Sequence, residues 1–191
     1  MKTSLLLREV VHQNHPTNIL IEGNRFKSLN APADTPADVV IDCKGLAILP
    51  PFYNAHTHAA MTLLRGYADA ILEMIKSGCV FFNDMYWEIE ETMRAVEEMG
   101  IRAAVGVTFM DRQSERRTED NFRFIEQWAD RANGRIQITV APHAIYTVGE
   151  ALFRRCAEAA RNKGLVLHTH LAETEQEVKD CIAAHGMTPV R

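Results

Sequence analysis

From residue 46 onward the chain alternates short apolar runs with helical patterns, and this alternation limits its fold more than any other feature. Leu46–His58, Cys79–Tyr86, Ile101–Phe109, Ile136–Pro142 and Leu165–Leu171 read as strands. Ile71–Lys76, Glu88–Met99, Glu119–Arg131, Glu150–Lys163 and Thr174–His185 read as helices. Gly78, Gly100, Gly134, Gly164 and Gly186 close a helix or open the next strand. Strands separated by helices pair in parallel, because a crossover returns the chain to the same end of the sheet. Runs such as Val80-Phe81-Phe82 and Leu165-Val166-Leu167 have no polar face, which fits a sheet covered on both sides. A repeat of this kind builds a closed barrel or an open doubly wound sheet. No glycine-rich phosphate loop opens any of the helices, which weighs against a nucleotide-binding sheet.

Residues 1–45 have a different texture. Asn18–Ile21 and Arg25–Leu29 flank Gly23-Asn24, a hairpin turn signal, and Val39–Ile41 resumes a strand after the Pro- and Ala-rich loop 31–37. The predicted organisation is therefore an N-terminal β segment over 1–45 and a βα region over 46–191. Twenty-one basic residues against 25 acidic ones give a net charge of -4, so neither nucleic acid nor an anionic membrane is an expected partner. No apolar run is long enough to span a bilayer, and Arg8 and Glu9 fall where a signal peptide would be cleaved. Cys43, Cys79, Cys156 and Cys181 form no CxxC pair and read as reduced, mostly buried thiols, so a cytoplasmic location is expected.

The polar residues with chemistry in them collect at the C-terminal ends of the predicted strands. Of the six histidines after residue 50, five lie at such ends: His56, His58, His143, His168 and His170. In a βα barrel that rim carries the active site. His56-Thr57-His58 places two imidazoles on one face of a strand, because side chains two residues apart point the same way. Such a pair can chelate one divalent ion, and neutral imidazole accepts Zn, Fe, Ni or Cu. His168 and His170 form a second pair of this kind. His170 is the better ligand candidate, since it lies nearer the rim and Glu173 follows three residues later. Glu173 could relay a proton to and from a metal-activated water, or simply complement a helix N-terminus. His143 reads as a hydrogen-bond donor to substrate, as a ligand, or as a packing residue. Asp84 reads as a functional group or a helix N-cap. Arg65, Arg112, Arg116 and Arg117 are candidates to meet a carboxylate or phosphate, although a solvated loop is the favoured reading for any one of them.

The segment 50–66, PPFYNAHTHAAMTLLRG, is similar to the first metal-binding strand of the amidohydrolase superfamily. The likeness is strongest to the branch of 5'-methylthioadenosine/S-adenosylhomocysteine deaminases and related chlorohydrolases. Three further stretches resemble the same branch: 73–86 (EMIKSGCVFFNDMY), 141–147 (APHAIYT) and 168–174 (HTHLAET). The resemblance implies a TIM (β/α)8-type barrel, here incomplete at about five βα units, flanked by N-terminal β-sandwich strands. It implies that His56, His58 and His170 are metal ligands and that Glu173 shuttles protons and touches the substrate ring. It implies that His143 contacts substrate and, more loosely, that Arg117 reaches the substrate's tail. The implied reaction is hydrolytic deamination at the purine 6-position of an S-adenosylhomocysteine- or 5'-methylthioadenosine-like nucleoside. The implied cofactor is one divalent metal ion, Zn first and Fe, Mn or Ni after it.

The sequence departs from the pattern in three places. The family pattern also needs a histidine after strand six and an aspartate after strand eight, both beyond the five units that end at Arg191. A barrel of this type takes about 250 residues. Asp69-Ala70 runs directly into Ile71, so the substrate-facing loop after strand one reads as shortened, and Pro51 stands where the family has glycine. The expectations that follow are an incomplete site, metal bound at below one equivalent and severely weakened catalysis. A chain of this kind is also expected to be a homo-oligomer or one piece of a larger protein. The competing readings are an inactive remnant that at most binds metal, and a triazine-dechlorinating, guanine- or cytosine-deaminating activity of the same superfamily.

Overall fold

The computed structural model describes residues 3–61, 66–128 and 134–191. Two compact units divide the chain, Met1–Pro51 and Phe52–Arg191. The first holds β1 (Ser4–His12), β2 (His15–Glu22), β3 (Arg25–Ser28) and β4 (Val39–Asp42). They form one sheet in the order β3-β2-β1-β4. Gly23-Asn24 turns β2 into β3 as the sequence predicts, with Glu22 opposite Arg25. β1, which the sequence reading did not single out, is the spine of this sheet, antiparallel to β2 and parallel to β4. Val10, Ile19 and Cys43 form its small buried cluster.

The second unit holds β5 (Phe52–Thr57), α1 (Tyr67–Lys76), β6 (Cys79–Met85), α2 (Ile89–Met99), β7 (Arg102–Phe109), α3 (Glu115–Gln127), β8 (Ile136–Pro142), α4 (Glu150–Lys163) and α5 (Glu175–His185). Its sheet runs β5-β6-β7-β8, every pair parallel. This is the βα alternation predicted from sequence. β7 and β8 are buried on both faces apart from Arg102 and Gln137, whereas the two runs expected to be covered on both sides are not, since Val80 is 41% and Val166 65% exposed. Phe82, Val105, Val107, Phe109 and Val140, none more than 1% exposed, form the centre of the core between sheet and helices. β5 lies at the sheet edge, with Phe52 and Tyr53 about two-thirds exposed. Leu165–Leu171 departs from the expected fifth strand. Only Leu167 bridges β8, although the backbone N–H groups of Val140 and His168 still bond across the gap at 3.0 and 2.9 Å. The segment lies beside β8 without completing a ladder.

Helix boundaries moved where the first turn is polar. α3 begins at Glu115 rather than Glu119, because Ser114 caps it by accepting from the Arg117 N–H at 3.2 Å. Its apolar periodicity starts a turn later than the helix itself. The predicted end of this helix at Arg131 lies outside the described residues, as does Arg65. Gly164 ends α4 in the left-handed conformation, where any side chain would be strained.

Close packing between neighbouring strands depends on Gly106. A Cβ there would sit 2.8 Å from the Asp84 carbonyl oxygen and 2.9 Å from Ala141 Cβ. Backbone atoms cannot step aside, so Gly106→Ala is expected to cost about 1–3 kcal/mol of stability. Urea unfolding reads it; an unchanged midpoint would contradict the contact.

Candidate metal and substrate site

The C-terminal ends of β5 and β8 and the segment after α4 bring five histidines together. His56 lies near the end of β5 and His58 just past it, and the two turn to one side. Their rings meet edge-on with centroids 4.7 Å apart. His170 approaches from the far side of the sheet, its Nε2 3.1 Å from His56 Nε2. One ring nitrogen from each of His56, His58 and His170 falls within 4.8 Å of the others. A tetrahedral Zn with N ligands near 2.0–2.1 Å sets two such nitrogens about 3.3 Å apart, close to the 3.1 Å between His56 and His170. The donor set suits a divalent ion in a second way. His58 Nδ1 faces the Met85 carbonyl at 2.5 Å and must donate to it, which leaves Nε2 free as a lone pair. His170 lacks such support: its Nδ1 is buried without a partner among the described residues.

Charge reinforces this arrangement. Burial, then the neighbouring His58 and His170, hold His56 below the usual imidazole range. Burial and the surrounding histidines push His168 down to about 4. Imidazoles kept neutral are the form that binds metal.

Glu173 follows three residues after His170. Tyr146 donates its hydroxyl to Glu173 Oε2 at 2.7 Å, which holds the carboxyl below its ordinary range. The same bond pushes the Tyr146 phenol up to about 12. The backbone under Glu173 is fixed by Glu177, a buried residue of α5 that accepts from the Ala172 and Glu173 N–H groups at 3.1 and 2.7 Å. Ala172 is held in the left-handed region, φ 55°, a strained position for a residue with a Cβ. Sequence reasoning missed both Tyr146 and Glu177. The Thr174-x-x-Glu177 capping pattern could have drawn attention to Glu177.

His143 reaches the site with its Nδ1 already engaged. The Thr147 hydroxyl donates to the Ala144 carbonyl at 3.1 Å, so it accepts from His143 Nδ1 at 2.8 Å. The lone pair then sits on Nε2, and His143 offers the cavity an acceptor. Burial and the adjacent His170 keep this ring below the usual imidazole range. A cavity of about 330 Å³ opens in front of these groups, lined by His58, Trp87, Arg112, His143, His170 and Glu173 among others. Arg117 is not brought here. It lines a separate cleft with Glu88 and Asp120, while Arg112 occupies the cavity wall. Arg116 lies exposed near Asp120. Asp84 is not a helix N-cap; it is 1% exposed and accepts from the Ala59 N–H at 2.8 Å, which anchors the chain just past His58.

Comparison with known proteins agrees on one family. The Amidohydrolase family model matches residues 47–191. A 5'-deoxyadenosine deaminase of Methanospirillum hungatei is 38% identical over 190 residues, covering 80% of this chain and 42% of that protein. A 5-methylthioadenosine/S-adenosylhomocysteine deaminase of Archaeoglobus fulgidus is also 38% identical, covering 88% of this chain and 47% of its own length. The chain thus spans less than half the length of these relatives. Among solved structures, an adenosine deaminase from Xanthomonas campestris with bound zinc superposes with a TM-score of 0.80 at 25% identity, over 98% of this chain and 53% of that one. An atrazine chlorohydrolase from Arthrobacter aurescens shares the fold with a TM-score of 0.74 at 20% identity, over 98% and 57%.

Asp84 yields a test with a defined sign. Burial pushes its carboxyl from 3.8 up to about 6, against the pull of the Ala59 N–H and His58. A carboxyl whose folded pKa is raised favours the folded state below 3.8, and that advantage is lost as pH rises through 6. Asp84→Asn has no such titration, so its stability relative to the parent is expected to rise by about 3 kcal/mol across that window. Urea unfolding of the metal-free proteins at a series of pH values measures this difference. A difference that stays flat with pH would contradict the buried-carboxyl account.

Proposed function

The chain belongs to the amidohydrolase family, and from that premise we propose that it carries the metal-holding and substrate-facing part of an aminohydrolase acting on adenosine-type nucleosides. The observation that carries the reading is the convergence of His56, His58 and His170 beside the Glu173 carboxylate. On this reading the three histidines are the ligands of one divalent ion, with zinc the first candidate. The second unit is then part of a (β/α)8-type barrel spanning 46–191, and 1–45 is part of a β-sandwich. Among the described residues no aspartate joins the three-histidine group. Four free thiols, three of them buried, fit a reducing compartment such as the cytoplasm.

A divalent ion held by the three histidines supplies Lewis-acid activation of a water for attack on the purine 6-carbon. The chain's own residues do the rest. Glu173, ionised and restrained by Tyr146, takes a proton from the attacking water and passes it to the departing amine. Proton transfer by a placed carboxylate is worth about 10²–10⁴ in rate. His143 Nε2 accepts from a substrate N–H or ribose hydroxyl. Trp87 offers an aromatic surface at the cavity wall, with the Arg112 guanidinium 5.7 Å from its ring centroid. The names of the relatives at 38% identity support adenosine-type nucleosides over guanine or triazines.

Two results test this reading. His56→Ala together with His58→Ala is expected to abolish zinc uptake in elemental analysis of the purified chain; full retention of metal would sink the ligand assignment. Calorimetric titration of the zinc-loaded chain is expected to show tighter binding of 5'-methylthioadenosine than of guanine or a chlorotriazine. Any ammonia released above the metal-free blank is expected from the nucleoside and lost in Glu173→Gln. Ammonia from guanine or chloride from the triazine, with the nucleoside untouched, would overturn the substrate class.

A further inference from the structure

His168 is absent from the converging ligand group, yet it touches it. His56 presents its two ring nitrogens in different directions. Nε2 faces His170 within the ligand group, while Nδ1 lies 3.2 Å from His168 Nε2. The two rings stand edge to face, with an interplanar angle of 79°. The His168 backbone is fixed in turn by its N–H bond to the Val140 carbonyl at 2.9 Å.

Which nitrogen carries the proton is settled by Asn83. Its Nδ2 donates to the Ala55 carbonyl at 3.2 Å and lies 3.4 Å from His168 Nε2. Flipping the amide would set its oxygen against the Ala55 carbonyl, acceptor against acceptor. The amide nitrogen therefore faces His168 Nε2, which takes the lone-pair form and leaves the ring proton on the buried Nδ1, without a partner among the described residues. That single lone pair is shared, accepting from His56 Nδ1 at 3.2 Å and from the more distant Asn83 Nδ2 at 3.4 Å. His56 then carries its proton on Nδ1 and keeps Nε2 bare on the side where His58 and His170 converge.

We propose that Asn83 and His168 form a positioning pair that sets the tautomer and ring orientation of His56 for metal binding. The pair deepens the proposed function, since it rests on His56 being a ligand. His58 receives the equivalent support from the Met85 carbonyl, a main-chain group that no substitution removes. His56 depends on a side chain. Partners of this kind behind a ligating histidine are worth about 10- to 100-fold in metal affinity.

The test is zinc affinity of the 191-residue chain, measured by competition with a chromophoric chelator. His168→Phe keeps a ring but removes the acceptor, and is expected to weaken zinc binding about 10- to 100-fold. His168→Gln restores an acceptor oxygen and is expected to recover most of that loss. His56→Ala is the control for the underlying reading. If it binds zinc as the parent does, the ligand assignment fails. If it loses zinc while His168→Phe binds as the parent does, only the positioning pair is overturned. Should His168→Phe fail to fold by circular dichroism, long-range proton–nitrogen correlation spectra of the metal-free parent decide. A proton on His56 Nδ1 supports the pair, and a proton on Nε2 overturns it.

Discussion

Everything at the candidate site depends on one contact between opposite ends of a sheet. His56 lies on β5, the first strand of β5-β6-β7-β8, and His170 lies on the segment beyond β8. In a flat sheet four strand spacings would hold them about 19 Å apart. Their Nε2 atoms are 3.1 Å apart. The sheet is therefore strongly curved, and its curvature brings the strand ends round to a common centre. Within that sheet Gly106 leaves no room for an added methyl against the Asp84 carbonyl and Ala141 Cβ.

Curvature brings the groups together, and hydrogen bonds decide their state. His58 is backed by a carbonyl, His56 by the His168 ring, and Glu173 by the Tyr146 hydroxyl. Each partner selects the form that the proposed chemistry needs: bare imidazole nitrogens at the centre and an ionised carboxylate beside them. Glu177 pins the loop between His170 and Glu173 through two main-chain N–H groups. Histidine and carboxylate are thus held in one short, rigid segment.

Periodicity made the βα order legible in the sequence, and strand alternation placed His56 and His58 side by side. The three-histidine set itself came through family likeness, because separation along the sheet is invisible to a linear pattern. Leu165–Leu171 has the composition of a buried strand but lies at an open edge, so its ladder is reduced to one bridge. Helices α1 and α3 begin about a turn before their apolar periodicity does. Arg112 and Arg117 differ little in sequence context; one lies in the loop after β7 and reaches the cavity, the other lies within α3 and points into another cleft. The direction of the His143 hydrogen bond was not readable either, since it depends on where the Thr147 hydroxyl is already committed.

The central claim is that three imidazoles from two distant segments share one divalent ion. X-ray absorption at the zinc edge of the zinc-loaded chain addresses it directly, because the scattering identifies the donor atoms. The account predicts three imidazole nitrogens at about 2.0–2.1 Å. A first shell containing sulfur at about 2.3 Å, or one without the outer-shell signature of imidazole, would contradict it.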